Sequence, residues 1–197
     1  MKRAIVIFLV ASFFIEGCAS YHAGLLPSKD VMNYDNKQVQ NNVYVVAKFL
    51  DTRETKQIFQ FELQGRGIQP VFVVMDNRSP KTFDFKKSDI NKQIISSQEV
   101  ADKCKFSTVG RATTYGVVGL FIWPFLIPAV VDGVGSSEAN KKIEDDYAYK
   151  ELQDGRLMPN ALMNGVVFVP KMKEGEDFTI RLKDVDTNEI LRFSFQK

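Results

Sequence analysis

The fold is decided by the C-terminal stretch VVFVPKMKEGEDFTIRLKDVDTNEILRFSF, residues 166–195. Residues 166–169 form an uninterrupted apolar run that stops at Pro170. Residues 178–182 (FTIRL) and 191–195 (LRFSF) each alternate apolar and polar side chains, and polar turn residues separate the two segments. Alternation with a period of two places the apolar side chains on one face of a strand. The stretch therefore predicts three strands, of which the last two form a hairpin.

The same signals recur in the N-terminal half of the chain. Residues 43–50 (VYVVAKFL) are rich in the β-branched and aromatic side chains that favour strands. The other candidate strands in this half are 57–63, 71–75, 82–85 and the shorter 93–96. A turn cluster, DNRSP, follows the third candidate at residues 76–80. Seven or eight short strands separated by turns predict a mainly β protein that folds as an antiparallel β-sandwich.

An insertion at about 97–157 separates the two groups of strands. Within it, Ser136 and Ser137 are candidate caps for a helix that runs to about Leu152. The residues spaced to lie along one face of this helix are Ala139, Ile143, Tyr147 and Leu152. Asp146 and Lys150 are four residues apart, a spacing that favours an ion pair. The sandwich is thus predicted to carry a helical and apolar insertion.

The first eighteen residues have the three parts of a secretory signal. A basic start, Lys2 and Arg3, precedes a largely apolar run of eleven residues at 4–14, and a small residue, Gly17, lies just before Cys18. The apolar run is too short to span a bilayer as a helix, so the segment is predicted to be cleaved. The run Ile15-Glu16-Gly17-Cys18 resembles the lipobox of bacterial lipoproteins.

This resemblance implies acylation of Cys18, with diacylglycerol on the thiol and a third acyl chain on the new amino group. Several acyl chains anchor a protein stably, whereas one binds only marginally. In bacterial lipoproteins, an aspartate directly after the cysteine is typical of retention in the inner membrane. This chain has Ala19 and Ser20 there instead, so the resemblance implies that the protein is located on the periplasmic face of the outer membrane. We therefore divide the chain into a signal peptide (1–17), a lipidated tether (18–42) and the β-sandwich domain (43–197).

A second resemblance covers about 120 residues of the domain. It rests on the order of the elements along the chain. A strand is followed by the turn Asp76-Asn77-Arg78-Ser79, another strand and a long excursion that contains a helix. After these come Leu157-Met158-Pro159 and residues 164–170 (NGVVFVP). This order is similar to immunoglobulin-like domains of bacterial envelope lipoproteins. The resemblance implies an immunoglobulin-like sandwich, and it implies no particular activity because such sandwiches serve many roles.

The charge balance and the potentially reactive residues argue against several classes of function. The chain has 26 basic and 24 acidic residues; without Lys2, Arg3 and Glu16 of the signal, 24 and 23 remain. This near-neutral balance argues against a nucleic-acid partner. The single histidine, His22, lies in the predicted tether, and the sequence has no nucleophile elbow or phosphate-binding loop. We therefore expect that the protein is not an enzyme. We also expect it to bind no metal, no cofactor other than the lipid and no small-molecule substrate. Cys104 is predicted to be a small buried residue.

The apolar run at 115–131 (YGVVGLFIWPFLIPAVV) contains seventeen residues without a charge. Its largest side chains, our candidates for a contact surface, are Leu120, Phe121, Ile122, Trp123, Phe125, Leu126 and Ile127. Three hypotheses account for it: it covers the sandwich, dips into the bilayer as a hairpin, or binds a partner protein. The predicted function is a non-enzymatic, lipid-anchored structural or protein-binding component of the envelope, docking through this run or a sheet edge. The alternative is a membrane-inserting or membrane-sensing protein acting through 115–131.

Overall fold

The computed structural model describes residues 20–106 and 126–197, and in the second range it describes side chains from residue 137 onward. The chain divides into two compact units. One consists of residues 23–103 and 146–197, and it holds every strand of the described ranges. The other includes residues 104–145. In the described ranges, no helix is both long and apolar enough to cross a membrane.

In residues 20–106 and 126–197, eight strands form two four-stranded antiparallel sheets. They are β1 (Gln38–Gln40), β2 (Val43–Phe49), β3 (Ile68–Asn77), β4 (Phe83–Phe85), β5 (Gly155–Leu157), β6 (Leu162–Pro170), β7 (Asp177–Asp184) and β8 (Ile190–Gln196). The first sheet has the order β1-β2-β3-β6 and the second the order β5-β4-β7-β8. The mainly β prediction and the two antiparallel sheets of a sandwich are therefore confirmed.

Both sheets contribute to one apolar core. Alternate residues of β2 and β3, such as Val45 and Val73, contact the same cluster as Ile180 of β7 and Phe193 of β8. The alternation read at 178–182 and 191–195 is the inward face of β7 and β8, where Ile180 is paired directly with Phe193. β3, an inner strand of its sheet, is buried along almost its whole length, both on the face that joins the core, as at Val73, and on the opposite face, as at Phe72.

The strand predicted at 57–63 is wrong. No strand forms there: a helix, α1 (Thr52–Phe59), includes residues 57–59, residues 60–63 are irregular, and a three-residue 3-10 turn follows at Gln64–Arg66. A capping box starts α1: the Asp51 side chain accepts from the Glu54 N–H, and the Glu54 side chain accepts from the Asp51 N–H. Helical periodicity then buries Ile58 and Phe59 on one face. The alternating phenylalanines concealed this because the helix ends at residue 59.

In the described part of the insertion lie two more helices, α2 (Ser97–Cys104) and α3 (Leu126–Lys150). The predicted stripe is confirmed, since Ala139, Ile143 and Tyr147 are buried, and so is Cys104. However, α3 begins ten residues before Ser136. Pro128 is tolerated because it lies in the first turn, where backbone N–H groups have no partner in the helix.

The turn after β3 is held by one buried amide. The Asn77 side chain donates to the carbonyl oxygens of Lys81 (2.7 Å), Met158 (3.0 Å) and Leu157 (3.2 Å). Its oxygen accepts from the N–H (3.0 Å) and hydroxyl (2.7 Å) of Ser79. Asn77 is fully buried, so these bonds join the β3–β4 turn to the end of β5. The Asn-Arg-Ser motif at 77–79 is therefore a structural element of the sandwich.

The segment predicted as a tether departs from that prediction. Val31 is buried in a short 3-10 turn (Val31–Asn33), whose first residues are capped by Asp30. Further along, residues 38–40 form β1 and pair with β2. The sequence signal was weak because the segment is polar, and its backbone is fixed by caps and pairing rather than by an apolar pattern. The folded domain therefore begins well before residue 43.

Candidate functional site

Most of the predicted contact residues lie outside the part of the chain that the structure describes. Cys18 lies outside the described residues, as do Leu120, Phe121, Ile122, Trp123 and Phe125. Leu126 and Ile127 are the first residues of α3, and their side chains lie outside the described part. The acylation of Cys18 and the three hypotheses for 115–131 therefore remain predictions.

A different candidate site lies in the described part of the chain, where the N-terminal segment meets the end of α1. The Gly24 N–H donates to the carbonyl oxygen of Ile58 (3.1 Å). A Cβ on Gly24 would lie 2.0 Å from the Gln57 carbonyl oxygen, so no other residue fits without displacing the backbone. The chain is thus fixed against the sandwich unit at Gly24, six residues after Cys18.

The same Ile58 carbonyl accepts a second hydrogen bond, from Lys150 Nζ (2.9 Å). Lys150 is the last residue of α3 and is only 4% exposed. Its charge is balanced by Asp146, one helical turn earlier, at 2.5 Å. The final carbonyl oxygens of a helix have no partner in the helix and carry partial negative charge, so the end of α1 suits a buried lysine.

An aromatic cluster surrounds this lysine. Lys150 Nζ lies 5.2 Å from the centre of the Phe59 ring, an arrangement typical of cation–π contacts. Phe59 packs in turn on Tyr147 (4.8 Å between ring centres) and Phe168 of β6 (5.7 Å). All three rings are fully buried. The cluster therefore holds the last turn of α3 and the end of α1 rigidly on the first sheet.

A cleft of about 600 Å³ lies between the N-terminal segment and this last turn of α3. Residues 23–27 and Lys29 form one wall; Asp146, Tyr149, Lys150 and Asn164 form the rest. Two large side chains of the cleft face solvent almost completely, Leu25 at 92% and Tyr149 at 88%. The cleft thus combines a paired charge with an exposed leucine, tyrosine and lysine. This set suits contact with an amphipathic surface better than acid–base chemistry.

The edges of the two sheets are the other predicted docking surface. The two longest outer strands, β8 and β6, already have hydrogen-bond partners within the chain. The Gln38 and Gln40 side chains of β1 bind the backbone of β8: each amide donates to a carbonyl, of Ser194 or Arg192, and accepts from the same residue's N–H. On β6, Ile95 donates to Phe168 (2.8 Å) and Leu152 donates to Val166 (3.0 Å). These contacts occupy part of the edges that a partner strand would need.

The Asp184 carboxylate also has a structural role. Asp184, at the end of β7, accepts from Lys81 Nζ (2.6 Å) and from the N–H groups of Asp186 (2.9 Å) and Thr187 (3.1 Å). The hydrogen bond from Lys81 and those from the turn hold the pKa of Asp184 well below its usual range. The same hydrogen bond raises the pKa of Lys81. Asp184 is therefore ionised at neutral pH and fixes the β7–β8 turn.

Within residues 20–106 and 137–197, no three His, Cys, Asp or Glu side chains are grouped so that they would hold a metal ion. The sequence did not predict the cleft because Lys150 was predicted only as an ion-pair partner of Asp146, and Gly24 was assigned to the tether. The one available signal was a glycine before two leucines in an otherwise polar segment. Comparison of the chain with protein-family models, with curated proteins and with solved structures finds no match.

Proposed function

We propose that this protein is a lipid-anchored component of the bacterial cell envelope, attached through Cys18 to the periplasmic face of the outer membrane. Its role is structural or protein-binding, without catalysis. The observation that carries the proposal is the run Ile15-Glu16-Gly17-Cys18 placed directly before a β-sandwich whose chain is fixed at Gly24. A signal, an acylation site and a folded domain follow one another with almost no intervening chain.

We further propose that the sandwich is immunoglobulin-like, and the strand order supports this. When β2, β3 and β6 are named A, B and E, the first sheet has the order A-B-E, preceded by the short β1. When β4, β7 and β8 are named C, F and G, the second sheet has the order C′-C-F-G, with β5 as C′. Immunoglobulin sandwiches distribute their strands in this way. The insertion then lies between strands C and C′.

The proposal of a non-catalytic role is supported by the use of the buried charges. In the described part of the chain, the buried charged residues are Lys150 and Asp184. Lys150 is bound to the end of α1, and Asp184 to Lys81 and its own turn. Each is fully engaged in holding the fold. A sandwich of this kind suits a scaffold or a binding module.

The anchor is tested by labelling growing cells with a radioactive fatty acid. We expect the wild-type protein and the matched control Cys104→Ser to carry label, because Cys104 is buried in the folded domain. Cys18→Ser should carry none and should remain as the uncleaved precursor. Label on the Cys18→Ser protein would refute the proposed attachment.

A second candidate function is insertion into or sensing of the membrane, and the observation that favours it is the uncharged run at 115–131. The two candidates differ in what accompanies the protein after detergent extraction. A binding module should be recovered with one partner in a fixed ratio, and this ratio should survive washing. A membrane-inserting protein should be recovered alone. Chemical cross-linking in whole cells before extraction provides the control for loss of a weakly bound partner.

A further inference from the structure

We propose that the face carrying Leu25, Lys29 and Tyr149 lies on the lipid surface, so that the domain rests on the membrane instead of standing away from it. This inference rests on the proposed function, because it needs the acyl chains on Cys18. It names the lipid surface itself as the partner of the cleft described above.

The link between the acylated cysteine and the folded domain is short. A freely extended tether through residue 42 would allow the domain to move about 80 Å from the lipid. The structure fixes the chain at Gly24 instead, through its hydrogen bond to Ile58 and the close approach to Gln57. Six residues separate Cys18 from Gly24, and fully extended they reach at most about 20 Å. The surface around Gly24 is therefore always near the headgroups.

The surface around Gly24 also has the side chains that a membrane interface favours. Leu25 directly follows the fixed glycine and is almost fully solvent-exposed, as is Tyr149 across the cleft. In water such apolar area is unfavourable, and at a bilayer it is covered. Tyrosine is enriched at membrane interfaces because its ring is apolar and its hydroxyl is polar. Lysine near the surface is attracted to anionic headgroups, and Lys29 lines the same cleft.

The face is also rigid, and the charges of Asp146 and Lys150 within its cleft are paired. Tyr149 projects from the last turn of α3, which the Phe59, Tyr147 and Phe168 rings hold in place. Asp146, the carboxylate that lines the cleft, forms an ion pair with Lys150, so its charge is neutralised within the protein.

The test places a fluorescent reporter on the face of the intact, acylated protein. In a Trp123→Phe background, which removes the only natural tryptophan, Leu25→Trp is compared with the matched control Ile190→Trp. Ile190 is an apolar residue of β8, 49% exposed, far along the chain from the anchor. Each protein is reconstituted into vesicles of phosphatidylethanolamine and phosphatidylglycerol whose acyl chains carry bromine, a quencher of tryptophan at short range.

We expect several-fold stronger quenching of the tryptophan at position 25 than of that at 190, reduced by Tyr149→Asp. Equal quenching at both positions in vesicle-bound protein would overturn the proposed face. Mass spectrometry of the same preparation separates this from failure of the anchor. If Cys18 is unmodified and the protein stays off the vesicles, the proposed function has failed; if Cys18 is acylated and position 25 is unquenched, only the lipid-facing surface has failed.

Discussion

Replacing Asn77 with alanine tests whether the Asn-Arg-Ser turn is the structural centre of the sandwich. The amide makes five contacts at 3.2 Å or less, which share two amide hydrogens and one oxygen. We count them as about four hydrogen bonds, each contributing about 1 kcal/mol, with a further cost for acceptors left buried without a partner. Asn77→Ala should therefore lower the free energy of unfolding by about 3–5 kcal/mol.

The matched control is Asn36→Ala, because the Asn36 amide makes one hydrogen bond in a partly buried position, to the Ala47 carbonyl (2.9 Å). This change should cost about 1 kcal/mol. Both variants are made in the mature chain from residue 18 with Cys18→Ser, and urea unfolding is followed by circular dichroism. With a slope of about 2 kcal/mol per M, Asn77→Ala should move the midpoint by about 2 M. A shift no larger than that of Asn36→Ala would refute the reasoning.

Two further predictions concern the charged turn and the apolar insertion. Because the pKa of Asp184 is held below its unfolded value of about 3.9, its stabilisation is present above that pH and is lost as the pH falls through the folded pKa. Asp184→Asn should flatten the acid side of the stability curve, and an acid side as steep as the wild type's would contradict the assignment. If 115–131 covers the sandwich, Phe121→Asp with Phe125→Asp should strongly lower the melting temperature of the non-acylated chain, since it buries charge. An unchanged melting temperature would assign the run to the bilayer or a partner.

The strands were predictable where one face is buried and the other is solvated. In β7 and β8 the side-chain period is two, and the buried residues of each strand, such as Ile180 and Phe193, are apolar except for Asp184 at the end of β7. The helical stripe of α3 was predictable for the same reason at a different period. The segment 57–63 was not, because Phe59 and Phe61 imitate alternation while the capping box of Asp51 and Glu54 starts a helix.

The cleft was not predictable from local patterns. Lys150 is buried because the end of α1 supplies the carbonyl of Ile58, a contact between residues 92 positions apart. Likewise the short link depends on Gly24 approaching the backbone of Gln57, which nothing in residues 20–30 encodes by itself. Both features arise from tertiary contacts, whereas hydrophobic periodicity reports only the local environment of a strand or helix.

The state of the mature N-terminus tests the central claim most directly. The wild-type protein is extracted from membranes in detergent, digested, and its N-terminal peptide is identified by mass spectrometry. The account predicts a peptide that begins at Cys18 and carries diacylglycerol on the thiol and a third acyl chain on the amino group. A peptide that begins at Met1, or any peptide in which Cys18 is unmodified, would contradict the lipid anchor and with it the placement of the domain on the membrane.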